Sequence, residues 1–280
     1  MDKKVIDQFI KNAIAEDLGD GDHTSLSTIP AEAQGKAKLL IKEPGVIAGV
    51  ELALEIFKQV DSNLVTEVLI SDGTEVEYGD IAMTVTGSSQ SILLAERLVL
   101  NCMQRMSGIA TKTNHIVKLL SGYHTQLLDT RKTTPGLRYI EKWAVRIGGG
   151  VNHRIGLYDM ILIKDNHVDY AGGIANAIQR ANQYLADHAK KLQIEIEVRN
   201  LAELDQVLTA GHVDRIMLDN FSFEDLKEAV KRIDGKYTSE ASGGIVEENV
   251  TAYAACGVDF ISMGALTHSV KSLDMSLKAF

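Results

Sequence analysis

Beyond about Leu120, six short apolar runs each end in polar residues, with stretches of helical spacing lying among them. The runs are TQLLDTR, DMILIKDN, QIEIEVRN, DRIMLDN, KYTSEASGG and VDFISMG, and AGGIANAIQRANQYLADHA and LAELDQVLTA lie between them. Strands that alternate with helices must pair in parallel, because each helix carries the chain back to the same edge. The choice is then between a (β/α) barrel and a doubly wound sheet. The run ends carry Asp129-Thr130-Arg131-Lys132, Lys164-Asp165-Asn166-His167, Glu197, Asp219-Asn220, Ser242-Gly243-Gly244 and Gly264. Polar groups at every strand end imply one shared pocket, which favours a closed or nearly closed barrel.

The first ninety residues have a different rhythm. AKLLIKE, LVTEVLI and IAMTVTG read as strands, and EPG, SDGTEV and EYGD as the turns between them. A helical pattern follows from Ile92 to Leu120, with Leu94, Leu98, Cys102 and Met106 at four-residue spacing. The fold class expected is α/β: an N-terminal open α/β sandwich domain plus an incomplete (β/α) barrel domain. The expected boundaries are 1–106 for the first domain with its long helix, 107–266 for the catalytic barrel, and 267–280 for a tail.

Charge is unevenly spread. The chain has a net charge of -9, which argues against nucleic acid as a partner. Between Arg131 and Lys164, however, seven basic residues stand against two acidic ones. Lys142 and Arg146 fall within LRYIEKWAVRI and read as a solvated helix face. Arg131, Lys132 and Lys164 sit at strand ends, and Arg154 follows the glycine run GGGVNHR. Arginine forks bind carboxylate and phosphate through paired hydrogen bonds, so this cluster implies a substrate with several anionic groups.

Facing those cations are Glu197 and Asp219, at the ends of consecutive strands. Two acids in a cationic pocket could hold Mg²⁺ directly or through water, contact ribose hydroxyls, or stabilise positive charge developing on a sugar carbon. Glu195 lies two residues before Glu197 and points to the same face, so spacing alone leaves open which acid acts. Glycines in ASGGI and SMGAL at the last two strand ends suit phosphate.

No zinc spacing, nucleotide-binding loop or nucleophile elbow occurs in the chain. Cys102 and Cys256 read as buried hydrophobes. No segment reaches a membrane span of about 18 apolar residues, and MDKKVIDQFI has no apolar signal core, so a cytoplasmic location is expected. His115, His124, His188 and His212 read as surface residues. His153, His167 and His268 lie beside the candidate site.

The tracts EDLGDGDHTS, ERLVLNCMQRMSGIATKT, DTRKTTPGLR, EKWAVRIGGGVNHRIGLYDMILIKDNH, IEIEV, IMLDNF, SEASGGI and FISMGALTHS, taken in order, resemble the quinolinate phosphoribosyltransferases. The resemblance covers most of the chain from Glu16. It implies a type II phosphoribosyltransferase that joins quinolinate to phosphoribosyl pyrophosphate with loss of CO₂, yielding nicotinate mononucleotide, and a tail that returns to the first domain. Carried over by position, it gives quinolinate to Arg131, Arg154 and Lys164 with His153 nearby, and Arg97 reaching the same pocket from the partner of a homodimer. Phosphoribosyl pyrophosphate and its Mg²⁺ go to Lys132, Glu197, Asp219, Ser242, Gly243 and Gly264, and it makes Glu197 the acting acid of IEIEV. Lys132, Glu197 and Asp219 are the expected catalytic residues. Asp165, Asn166, His167, Asn220 and His268 complete the expected phosphoribosyl pyrophosphate site from their places at the strand ends.

Within this reading, Arg97, Asn101 and Arg105 form a polar stripe on an otherwise apolar helix. It faces either solvent or a neighbouring subunit. Two rivals compete with the main reading. One is a type II enzyme using nicotinate, or a molybdenum-associated paralogue. The other is a non-catalytic anion-binding protein, which would need the cations but not the acid pair.

Overall fold

The computed structural model describes residues 3–280. In chain order the first elements are α1 (Lys3–Leu18), α2 (His23–Thr28), β1 (Gln34–Ile41), β2 (Gly45–Val46), α3 (Val50–Val60), β3 (Val65–Val68), β4 (Glu75–Val76), β5 (Ile81–Ser88) and α4 (Ser89–Leu119). Then come β6 (Gln126–Leu128), α5 (Arg138–Ile147), β7 (Ile161–Ile163), α6 (Asp165–Ala171), α7 (Ile174–Asp187), β8 (Ile194–Val198) and α8 (Leu201–Ala210). The chain ends with β9 (Arg215–Asp219), α9 (Phe223–Ile233), β10 (Thr238–Ser242), α10 (Val250–Ala254), β11 (Phe260–Ser262), α11 (Ala265–His268) and β12 (Met275–Ala279).

Two compact units result. The first comprises the chain up to Asn114, Thr134–Gly149 and Ser269–Phe280; the second comprises His115–Thr133 and Gly150–His268. The expected boundary at residue 106 lies inside α4, and 134–149 joins the first unit. The physical link is Glu141 of α5, which is fully buried and accepts from Arg105 Nε (3.1 Å) and Nη2 (2.9 Å) of α4 and from the Thr134 N–H (3.1 Å).

In the first unit, β12-β1-β5-β3 form an antiparallel sheet. Burial alternates along the inner half of β1, the signature of a strand with one face on a core. The amphipathic α3 adds Leu52, Ala53, Ile56 and Phe57 to that core. Its first turn lacks a side-chain cap from Gly49, and Asp72 supplies one by accepting from the Val50 and Glu51 N–H groups. Lys142 is buried in α5, not solvated as its sequence context suggested, while Arg146 is exposed. The buried face of α5 spans Ile140, Glu141, Lys142, Ala144 and Val145, wider than its apolar residues alone mark out.

In the second unit, six parallel strands run in the order β6-β11-β10-β9-β8-β7. Leu128 of β6 also bridges Val151 in parallel, which extends the row by one position. The helices between the strands start where sequence chemistry places them. Asn200 caps α8 by accepting from Glu203 N–H, and Ser222 caps α9 by accepting from Asp225 N–H. α9 also carries Glu224 and Asp225 in its first turn and Lys231 and Arg232 in its last, matching the helix dipole.

The row curls into a barrel. Val151 and β8 lie five strand spacings apart, roughly 24 Å along a flat sheet. Yet His153 Nε2, two residues past Val151, is 2.8 Å from Glu195 Oε2 of β8. Only a curled sheet brings them together. Among the described residues β7 pairs with β8 alone, so the barrel is incomplete.

Candidate active site

Parallel pairing puts all six strand ends on one rim. Glu197 is level with Met217, and Ser242 with Asp219. Residues at i and i+2 share a face, so Glu195 lies one layer below Glu197, and Glu240 one layer below Ser242.

The cations converge on this rim. Arg131 follows β6, and Arg154 follows the neighbouring Val151 bridge. The Arg154 guanidinium has its pKa lowered, first by burial and then by the like charge of Arg131, so the two forks are neighbours. Arg154 Nη1 also donates to Met160 O (3.2 Å). Lys164, at the end of β7, places Nζ 3.2 Å from Glu197 Oε2.

The acid pair sits on adjacent strands. Asp219 Oδ2 accepts from Asn220 Nδ2 (2.7 Å), and Asn220 N–H donates to Ser242 O (2.8 Å). Gly243 has φ +92°, and a Cβ there would overlap the Asn220 side chain, so only glycine fits. Asp219, Asn220, Ser242 and Gly243 thus form one corner.

Lys132, Gly264 and His268 form another. A Cβ on Gly264 would lie 2.8 Å from Lys132 Cδ and 3.1 Å from His268 Cδ2. Thr267 Oγ1 donates to Lys132 O (2.8 Å), fixing that backbone. Asp165 and His167 have local tasks in the first turn of α6: Asp165 Oδ1 accepts from Asn166 N–H (2.6 Å), and His167 Nδ1 accepts from Lys164 N–H (2.9 Å). Arg97 lies in the first unit, exposed on α4, and with Asn101 and Arg105 lines a cavity of about 810 Å³. The stripe divides there, since Arg105 is committed to Glu141.

Sequence reasoning missed one feature. Beneath the rim, the barrel interior holds a charged cluster. His153 Nε2 lies 2.8 Å from Glu195 Oε2 and 3.5 Å from Glu240 Oε2, and Arg215 Nη1 lies 3.1 Å from Glu240 Oε2. Glu195 and Glu240 have no solvent exposure. Burial, then the charge of Glu240, raises the Glu195 pKa. Burial alone would lower that of His153, but the two carboxylates close to its ring reverse this and raise it. Glu240, beside His153 and Arg215, is instead held below the usual carboxylate range despite its burial. The available signal was a charged residue in mid-strand, as in KYTSEASGG, where a strand buried on both faces is normally apolar.

Residues 22–107 match the family described as Quinolinate phosphoribosyl transferase, N-terminal domain, and residues 109–278 match its C-terminal domain. Quinolinate phosphoribosyltransferase [decarboxylating] 1b of Nicotiana tabacum is 46% identical over 284 residues, covering 96% of this chain and 81% of the relative. Probable nicotinate-nucleotide pyrophosphorylase [carboxylating] of Bacillus subtilis is 42% identical, covering 98% and 92%. The solved nicotinate-nucleotide pyrophosphorylase of Francisella tularensis superposes with a TM-score of 0.91 at 42% identity, covering 99% and 96%.

A two-unit α/β architecture with a polar, cation-rich barrel rim defines the class as a phosphoribosyltransferase of the barrel type. More particularly, the chain belongs to the quinolinate phosphoribosyl transferase family.

Proposed function

We propose that the protein transfers the phosphoribosyl group of phosphoribosyl pyrophosphate to the ring nitrogen of quinolinate, releasing pyrophosphate and CO₂ and forming nicotinate mononucleotide, in NAD biosynthesis. The carrying observation is the shared rim: neighbouring Arg131 and Arg154 forks, with Lys164 at another strand end of the same rim and in contact with the acid Glu197. A dicarboxylate needs several cations, whereas nicotinate needs fewer.

Arg131, Arg154 and Lys164 hold the two carboxylates and so fix the ring nitrogen toward the sugar; positioning of this kind removes several kcal/mol of barrier. Lys132 and the Ser242-Gly243 and Gly264 turns bind the phosphates, with Asn220 and His268 completing those corners. Glu197 and Asp219 stabilise the positive charge that grows on the sugar carbon as its bond to pyrophosphate breaks, at or before attack by nitrogen. The ring nitrogen is then cationic. The adjacent carbon loses CO₂, keeps the bonding pair and takes a proton. No side-chain nucleophile is required.

Glu197 and Asp219 offer oxygen donors on neighbouring strands, a set that suits Mg²⁺. They would hold it directly or through water, and bound there it would neutralise charge on the pyrophosphate leaving group. We also place the active form as a homodimer, with Arg97 of one protomer entering its partner's quinolinate pocket. Two free, buried cysteines support a cytoplasmic location.

The test is an assay with quinolinate labelled in the carboxylate next to the ring nitrogen, phosphoribosyl pyrophosphate and Mg²⁺. Labelled CO₂ and nicotinate mononucleotide should appear in equal amounts. Turnover of nicotinate with no CO₂ from quinolinate would favour the nicotinate-using rival.

A further inference from the structure

The charged cluster inside the barrel has no part in the chemistry above. It could be taken for a metal site, since His153, Glu195 and Glu240 present three ligand atoms to one another. However, the guanidinium of Arg215 already sits on Glu240, and it also stacks on the Phe260 ring at 4.5 Å. A cation placed among these three groups would meet the positive charge of Arg215 at close range. Such a buried network is costly unless every partner is placed, so it fixes geometry at the expense of stability.

What it fixes is the run Asn152-His153-Arg154. Asp129, itself fully buried at the end of β6, accepts from Asn152 Nδ2 (2.6 Å) and from the His153 N–H (2.8 Å). The Arg154 N–H donates to His153 Nδ1 (2.7 Å). That contact makes Nδ1 an acceptor and leaves Nε2 on the side of the two carboxylates, 2.8 Å from Glu195 Oε2 and 3.5 Å from Glu240 Oε2. Both ring nitrogens thus have close polar neighbours inside the protein. His153 is 8% exposed and is turned toward the barrel interior.

We propose that Glu195, Glu240 and Arg215 form a buried floor that positions Arg154 for quinolinate through the ring of His153. His153 is then a positioning residue for Arg154. The inference rests on the reading that Arg154 binds a quinolinate carboxylate.

The two ideas separate in a double-mutant cycle read by calorimetry on the full chain with quinolinate, and separately with phosphoribosyl pyrophosphate. Arg154→Ala tests the site reading: unchanged quinolinate affinity would remove it, and the positioning role with it. If Arg154→Ala weakens binding, Glu195→Gln decides the inference. It should weaken quinolinate binding by roughly tenfold, within the range found for residues sharing one hydrogen-bonded network. It should leave phosphoribosyl pyrophosphate affinity unchanged, and should add nothing in the Arg154→Ala background. A loss of both ligands, or an equal loss with and without Arg154, would mean that the cluster supports the fold and does not aim this arginine. Should Glu195→Gln not fold, the same cycle on Glu240→Gln decides between the two outcomes on the same criteria.

Discussion

Lys164 Nζ lies 3.2 Å from Glu197 Oε2, so the rim's exposed ammonium and one of its acids are direct partners across adjacent strands. A substrate carboxylate that takes Lys164 competes with Glu197 for the same charge. Lys164→Ala should therefore weaken quinolinate binding by roughly ten- to a hundredfold, the worth of a hydrogen bond to a charged group. Phosphoribosyl pyrophosphate should bind nearly as before. Calorimetric titration of each ligand alone checks both halves.

Arg131 stands next to Arg154, and its like charge adds to burial in lowering the Arg154 pKa. An anion bound by both guanidiniums would offset that repulsion. Arg131→Ala should remove measurable quinolinate binding and spare that of phosphoribosyl pyrophosphate. Unchanged quinolinate affinity would show that Arg131 has another task.

Gly264 is needed for space. A methyl group there meets Lys132 Cδ at 2.8 Å and His268 Cδ2 at 3.1 Å, and both side chains must shift. Gly264→Ala should raise the KM for phosphoribosyl pyrophosphate several-fold, while the thermal midpoint stays close to that of the parent because the displaced atoms belong to movable side chains. Steady-state kinetics and a melting curve together separate the two effects.

The C-terminal segment is tied to the first unit by charge as well as by pairing with β1. Lys271 Nζ lies 2.8 Å from Glu43 Oε2, and the Asp274 N–H donates to Glu43 Oε1 (2.7 Å). The Lys271 contact, then the backbone N–H, hold the Glu43 pKa below the usual 4.5. A depressed carboxylate stabilises the fold above its unfolded pKa, and that contribution fades as pH falls through the folded value. Glu43→Gln should cost at most about 1 kcal/mol at pH 7, since the pair is largely solvated. The gap between variant and parent should narrow as the pH is taken from 7 to below the usual carboxylate range. Urea denaturation at the two pH values measures it; a gap that widened in acid would contradict the assignment.

Much of this protein can be read from its chain. The run QIEIEVRN becomes β8, and LAELDQVLTA is the whole of α8. The same holds for the six parallel strands and for the polar groups on their ends, because periodicity and capping are local properties that act through near neighbours. Cys102 and Cys256 are buried as their contexts imply.

Tertiary structure alone decided which residues meet. Nothing in the spacing of His153, Glu195, Arg215 and Glu240 says that they share one site inside the barrel, since they lie on a loop and three strands up to 87 positions apart. Lys142 looked like a surface lysine until α5 was seen to bury it, and Arg105 looked equivalent to Arg97 until Glu141 claimed it. The physical reason is the same in each case. A sequence pattern reports the face a side chain occupies on its own element, whereas its partner depends on strand order and on the curl of the sheet, which arise only when the whole domain closes.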